Sequence, residues 1–443
     1  MKLAIEGWRG VNHSFALVNQ CQILELLRQP GLQLFHRDMP FAMAHWNAQS
    51  HDAGFAPEDC ARIAALPDPQ GQAVDAIYRI CSPFRTGAED AQRAATPTIH
   101  FMVTEMGLSA RSFEPGAEHS DAFTRDANLI VTPTRWSRER LLEWGYAPEK
   151  VHVVSHGVNA QTFRPLLADE RALNRRNLGF DDGHCVFLNL GAAMWNKGLD
   201  VLLLAYATLR QKHRHLRLVL KDQRNLYGVG MDGTIKALCQ SHPQLFTAEV
   251  LGSISMVTAN LSQAQLRALY AMADCYVSPY RAEGFNLPVL EAIACGTPVI
   301  VTDGGATDDF CSPAVAMRID STPRTLDDPA AGRLARYREP SLDATVQAMD
   351  CVAQGQGIRR GLALDAACAA LVRAMGWAPP VQQLLALLQQ QAGRPVPAAT
   401  PRTGPSRRWP TETAFLFPPH RLKDFRCSLK PSPARPRCWI CSS

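Results

Sequence analysis

Along most of the chain, short runs of aliphatic and β-branched residues take turns with stretches whose apolar positions recur every three or four residues. That is the signature of strands and helices alternating in an α/β fold. Residues 1–8 read as a first strand, with Leu3 and Ile5 apolar, and Gly7, Gly10, Asn12 and Ser14 supply a turn and a helix cap. Leu17, Cys21, Leu24 and Leu27 then fall at helical spacing. Residues 32–35, 76–81, 98–104 and 128–132 read as further strands. Thr134 and Ser137 cap a helix through Leu141, Leu142 and Trp144 that Gly145 ends, and Val151, Val153 and Val154 form a strand. The polar, arginine-rich stretch 163–179 reads as a hinge. A second α/β pattern follows: a strand at 185–190, a turn at 191–196, a helix opened by Lys197-Gly198-Leu199-Asp200, and strands at 216–220, 250–254 and 274–279. Residues 266–272, 342–352, 363–375 and 381–388 read as helices.

From Gly393 the period vanishes while prolines and arginines accumulate, so no core can form there and disorder is expected. The resulting division is 1–168, 169–391 and a tail, 392–443. Charge follows the same division. The formal net charge is +5, yet residues 393–443 hold ten Lys/Arg against two Asp/Glu, which leaves −3 for everything before them. The body therefore gives no reason to invoke nucleic acid. The tail offers peripheral attraction to anionic lipid headgroups without an amphipathic face, and its deletion is expected to leave activity intact. No apolar run is long enough to cross a bilayer, and the N-terminus turns acidic at Glu6 too soon for a secretory signal, so a cytoplasmic protein is expected. The 13 cysteines are scattered, several of them inside apolar patterns, and read as reduced core residues.

The chemistry concentrates in residues 280–303, YRAEGFNLPVLEAIACGTPVIVTD. Pro288 suits a helix start, Gly296 the left-handed residue past its end, and the helix between them has so little polar surface that it must be buried. Val299, Ile300 and Val301 then read as an interior parallel strand. The amides from Phe285 to Val289 are thereby left at a helix N-terminus, where an anion such as a phosphate is favoured, and Gly284, Phe285, Asn286 and Leu287 are donor-binding candidates. Glu283 precedes the helix and Glu291 lies within it. Acids on both sides of a phosphate-binding turn suit a ligand with hydroxyls on both sides of its phosphates, as in a nucleotide sugar.

The string EGFNLPVLEAIACGTPVI, with Glu283-x7-Glu291, resembles the signature of family-4 retaining glycosyltransferases, and VTPTRWSRERLLEWGYAPEKVHVVSHGVNAQTFRP is a second stretch of resemblance. The resemblance implies a GT-B fold: two Rossmann-like domains facing a central cleft, acceptor in the first and nucleotide-sugar donor in the second. It implies that Glu283 contacts the transferred sugar, Glu291 the ribose, and Lys197 the diphosphate, beside Gly191 and Ala192. It further implies transfer with retention to a glycan, lipid or protein hydroxyl, with no metal and no cofactor. Acceptor-side candidates are Glu105, Arg9, Asn12 and His13. The chain departs from the pattern at three places: Asn159 stands for the usual aspartate, Ala192 for an arginine, and Glu105 where relatives carry a histidine. Arg224 and Lys221 are candidate substitutes for the missing cation. These departures keep a second reading open, a weakly active or inactive sugar-nucleotide-binding protein of the same fold. Two carboxylates would also serve a glycoside hydrolase, which has no need of the phosphate-binding turn.

Overall fold

The computed structural model describes residues 1–47, 54–85, 96–109, 112–114, 128–328 and 333–393. The tail expected to be disordered, with Cys427, Cys438 and Cys441, lies outside the described residues.

Two six-stranded parallel sheets form the body. The first contains β1 (Lys2–Gly7), β2 (Gln33–Asp38), β3 (Ala76–Ile80), β4 (Thr98–Phe101), β5 (Leu129–Thr132) and β6 (Val151–Val153), in the order β2-β1-β3-β4-β5-β6. The second contains β7 (Cys185–Gly191), β8 (Leu216–Asp222), β9 (Ile254–Val257), β10 (Cys275–Ser278), β11 (Val299–Thr302) and β12 (Ala316–Ile319), in the order β12-β11-β10-β7-β8-β9. Their central strands are buried on both faces, as β3, β4, β5, β10 and β11 are throughout, which is why they are mostly apolar, with a few buried polar side chains such as Arg79, His100 and Thr302. In the second sheet the strand order reverses between β7 and β10. The crevice beyond the carboxyl ends of two such strands is where open α/β sheets take their ligands.

Several helices begin and end as their sequences dictate. In the helix Arg135–Trp144 the Thr134 hydroxyl accepts from the Ser137 amide, and Gly145 takes a left-handed φ of 115°. The helix Leu287–Ala294 has Pro288 in its first turn and Gly296 beyond its end at φ 71°. Val289, Leu290, Ala292 and Ile293 have no exposed surface.

Other expectations are corrected. His13, not Asn12 or Ser14, caps the first helix, its Nδ1 accepting from the Phe15 amide at 3.1 Å. The arginine-rich stretch read as a hinge contains the helix Ala168–Asn177, because Arg171 and Arg175 reach Asp274 at 2.7 and 3.0 Å and fasten it to the second half. Residues 250–254 are no strand: the segment ends the short helix Ala248–Leu251, and the strand begins at Ile254. The closing helix Ala378–Ala392 lies against β3, β4 and the first helix, although it follows the second sheet in sequence. An antiparallel hairpin, β13 (Ser321–Asp328) with β14 (Arg333–Pro340), has no counterpart in the sequence reading. It touches the first half through the Arg336 amide on the Met106 carbonyl at 2.8 Å and an Arg336–Glu143 pair at 3.1 Å. The ten cysteines among the described residues are free thiols, six of them buried.

Candidate functional site

The loops after β7 and β10 flank the reversal of strand order, and they carry Lys197 and Glu283. Lys197 closes a single 3₁₀ turn, Trp195–Lys197, followed by Gly198 at φ 67°. A side chain at Gly198 would overlap the Pro279 carbonyl oxygen, so only glycine lets the β7 loop sit on the β10 loop. The seat is fixed by the Arg281 and Ala282 amides, which donate to the Asn196 carbonyl at 2.7 and 3.2 Å. Arg281 itself lies over the Trp195 ring at 4.8 Å and pairs with Asp200 and Glu339 at 2.8 and 2.9 Å.

Held in this way, the Lys197 ammonium is 2.9 Å from a Glu283 carboxylate oxygen and 2.6 Å from one of Glu105, which arrives from the loop after β4 in the other half. The second Glu105 oxygen accepts from Asn196 Nδ2 at 2.7 Å. Burial opposes the charge on Lys197, but the Glu105 and Glu283 carboxylates outweigh it and hold the ammonium well above its ordinary range. Burial pushes the Glu283 carboxyl up against the pull of Lys197, and the nearby Glu105 charge adds to the rise. One cation between two carboxylates leaves a net negative charge, which adds to burial in making Glu283 resist ionisation.

Glu291 sits in the buried helix and is 9% exposed. Burial raises its carboxyl to about 7, while the Tyr270 hydroxyl, donating at 2.8 Å, pulls the other way. Asn286 takes a left-handed φ of 76° and its amide donates to Ser278 Oγ at 3.0 Å, which fixes the turn before the helix. The row of amides expected to face an anion is shorter than the sequence suggests. The Val289 amide already donates to the Asn286 carbonyl at 3.1 Å, and Pro288 has none. Phe285 stacks on Phe310 at 4.9 Å, with His156 at 4.8 Å on the other flank. Gly284 meets the first half directly: its carbonyl accepts from the Thr134 hydroxyl at 2.8 Å, and a Cβ there would run into the Val103 side chain.

Gly191 ends β7 half-buried, and a Cβ added to it would meet nothing within 4 Å. Ala192 is buried. Neither candidate substitute cation stands free to replace the arginine absent there. Arg224 is taken up by Asp222 and Asp232 at 2.6 and 2.7 Å, and Lys221 is buried, donating to the Asp222 carbonyl at 2.6 Å. Burial lowers Lys221 to about 8.

Of the acceptor-side candidates, Glu105 joins the ion cluster and His13 lies beside it. Burial and then the Lys197 charge lower His13 to about 4, so it is neutral, and since Nδ1 accepts a hydrogen bond the proton is on Nε2. Its ring is 5.1 Å from Trp46, 5.3 Å from Trp8 and 6.0 Å from Tyr227, the last from the second half. Arg9 is turned elsewhere: its guanidinium clamps Asp38 at 2.8 and 3.0 Å and donates to the Ile63 carbonyl at 2.8 Å. Asn12 is half-buried in the same loop and takes no part in the ion cluster. Sequence reasoning missed Asn196, whose position next to Lys197 was the available signal. It also missed Trp46 and Trp136, whose Nε1 groups donate to the Leu226 carbonyl at 2.8 Å and the Glu105 carbonyl at 2.6 Å. Among the described residues no group of three or more His, Cys, Asp or Glu is placed to hold a metal, and no helix is long and apolar enough to cross a membrane.

Residues 170–319 match the family model described as Glycosyl transferases group 1. The D-inositol 3-phosphate glycosyltransferase 1 of Catenulispora acidiphila is 29% identical over 326 residues, covering 70% of this chain and 72% of that protein. The D-inositol 3-phosphate glycosyltransferase of Segniliparus rotundus is 34% identical over 183 residues, 41% of this chain and 38% of that one. The mannosylfructose-phosphate synthase of Agrobacterium fabrum is 25% identical over 195 residues, 44% of this chain and 42% of that one. Among solved structures, a glycosyltransferase from Rickettsia africae superposes with a TM-score of 0.59 at 12% identity, covering 88% of this chain and 98% of that one. Anabaena Alr3699/HepE in complex with UDP and glucose gives 0.57 at 14% identity, covering 88% and 100%. The two parallel-sheet halves thus have the GT-B glycosyltransferase architecture, and residues 170–319 are a glycosyl transferases group 1 domain.

Proposed function

We propose that the protein transfers a sugar from a nucleotide diphosphate sugar to an acceptor hydroxyl with retention of the anomeric configuration, using neither a metal nor a cofactor. The observation that carries this reading is Lys197 in the loop after β7, at the strand-order reversal, 2.9 Å from Glu283, which itself stands four residues before the buried helix Leu287–Ala294. As the bond from the sugar to the diphosphate lengthens, negative charge grows on the phosphate and positive charge on the ring. A fixed ammonium and helix amides therefore bind the transition state better than the ground state. Glu283, whose carboxyl burial raises, is suited to hydrogen-bond a hydroxyl of the transferred sugar, and Glu291 to hold the ribose. With the departing phosphate helping to deprotonate the acceptor on the same face, no second catalytic carboxylate is required.

A relative named for UDP and glucose in its complex supports a uridine donor as the first to test. The names of relatives acting on inositol 3-phosphate or forming mannosylfructose phosphate favour a phosphorylated polyol or sugar as the acceptor class. The test is a screen of UDP-, GDP- and ADP-sugars for slow hydrolysis, followed by a mass-spectrometric acceptor screen and proton NMR of the product's anomeric coupling. Release of nucleoside diphosphate with an α-product from an α-donor is expected. Inversion, or the absence of turnover with every donor, overturns the reading.

A further inference from the structure

We infer that Glu105 is a positioning residue that competes with the donor's diphosphate for Lys197 and Asn196, and thereby sets donor affinity and ties donor binding to the contact between the two halves. The inference rests on the proposed placement of the diphosphate at Lys197. Both Glu105 oxygens are bound by donors of the other half, one by an ammonium at 2.6 Å and one by an amide N–H at 2.7 Å. Those are the two kinds of donor that hold phosphate oxygens. The donors themselves are anchored by their own loop and its neighbour. Asn196 is pinned through its carbonyl by the Arg281 and Ala282 amides, and its side chain donates again to the Ala282 carbonyl at 3.0 Å. Gly198 is seated against Pro279.

The main chain of Glu105 is held as firmly, from both halves. Trp136 donates to its carbonyl, the Gly107 amide donates to the Thr104 hydroxyl at 2.9 Å, and the Arg336 amide of the β13–β14 hairpin donates to the Met106 carbonyl at 2.8 Å. What can move is the Glu105 side chain. It is 34% exposed, against 14% for Glu283 and 19% for Lys197, so it is the member of the cluster with water to enter. A diphosphate meeting Lys197 with both carboxylates in place would bring several negative charges around one ammonium. Displacing Glu105 removes one of them and frees two donors at once.

The test is calorimetric titration of the full-length protein and of its Glu105→Gln, Glu105→Ala and Lys197→Ala variants with UDP, GDP and ADP. Thermal melts establish that each variant is folded. Both Glu105 variants are expected to bind nucleoside diphosphate at least about tenfold more tightly, the order expected when one like charge is removed nearby at a surface dielectric. The donor KM should fall in parallel and kcat should change less, a gain that loss of structure does not produce. Unchanged or weaker binding in both folded variants, with Lys197→Ala still weakening it, overturns the role of Glu105 alone. If Lys197→Ala leaves the affinity unchanged, the diphosphate does not lie at Lys197, and the underlying functional reading fails with it.

Discussion

Glu291 is placed so that one substitution should improve stability and damage binding. Its carboxyl is buried in the helix Leu287–Ala294, with the Tyr270 hydroxyl as its hydrogen-bond donor at 2.8 Å, and burial lifts it from an ordinary 4.5 to about 7. Between these two values the native state holds a proton that the unfolded chain has lost, so stability is full below the lower one and falls as pH rises toward the higher one. A rise of this size corresponds to about 3 kcal/mol at 1.36 kcal/mol per pH unit, all of it lost by pH 8. Glu291→Gln keeps the shape and an acceptor for Tyr270 but cannot ionise. It should therefore match the parent protein at pH 4.5 and exceed it at pH 8 by about 3 kcal/mol, a rise of about 4 °C in melting temperature for a chain of this size. The assay is urea and thermal unfolding of both proteins across that range. Parallel profiles would show that Glu291 is not held protonated by burial. Nucleoside diphosphate affinity, measured on the same samples at pH 8, should fall by roughly tenfold or more as a charged hydrogen bond to ribose is replaced by a neutral one. An unchanged affinity would remove Glu291 from the donor site whatever its effect on stability.

Gly198→Ala combines a left-handed backbone with an overlap on the Pro279 carbonyl and should destabilise by about 2 to 5 kcal/mol, read by urea unfolding. A loss below about 1 kcal/mol would mean the β7 and β10 loops separate freely, so that Lys197 is not fixed by them. Gly284→Ala should weaken the contact between the halves by about 1 to 3 kcal/mol and lower activity, because its Cβ meets Val103. The double variant Gly284→Ala with Val103→Ala should recover most of that loss in both melting temperature and turnover. Failure of the rescue would place the damage elsewhere than in this contact.

The sequence by itself determined the elements whose period and punctuation are local: the buried parallel strands, the capped helix Arg135–Trp144, and the short apolar helix between Pro288 and Gly296. It also placed Lys197 and Glu283 in loops after two strands, since strand ends and glycine turns are written in neighbouring residues. Helix ends with a competing capper escaped it, as at His13, where an imidazole replaced the expected hydroxyl or amide cap. The hairpin β13–β14 escaped too, because its strands are mostly polar without a clean apolar alternation and its partners, Met106 and Glu143, lie far away in the chain. That Glu105 reaches across to Lys197 while Arg9 turns to Asp38 was decided only by the fold. A local pattern fixes which way a strand or helix faces, but the partner of a charged side chain depends on which loops the two sheets bring together, and no spacing along the chain encodes that.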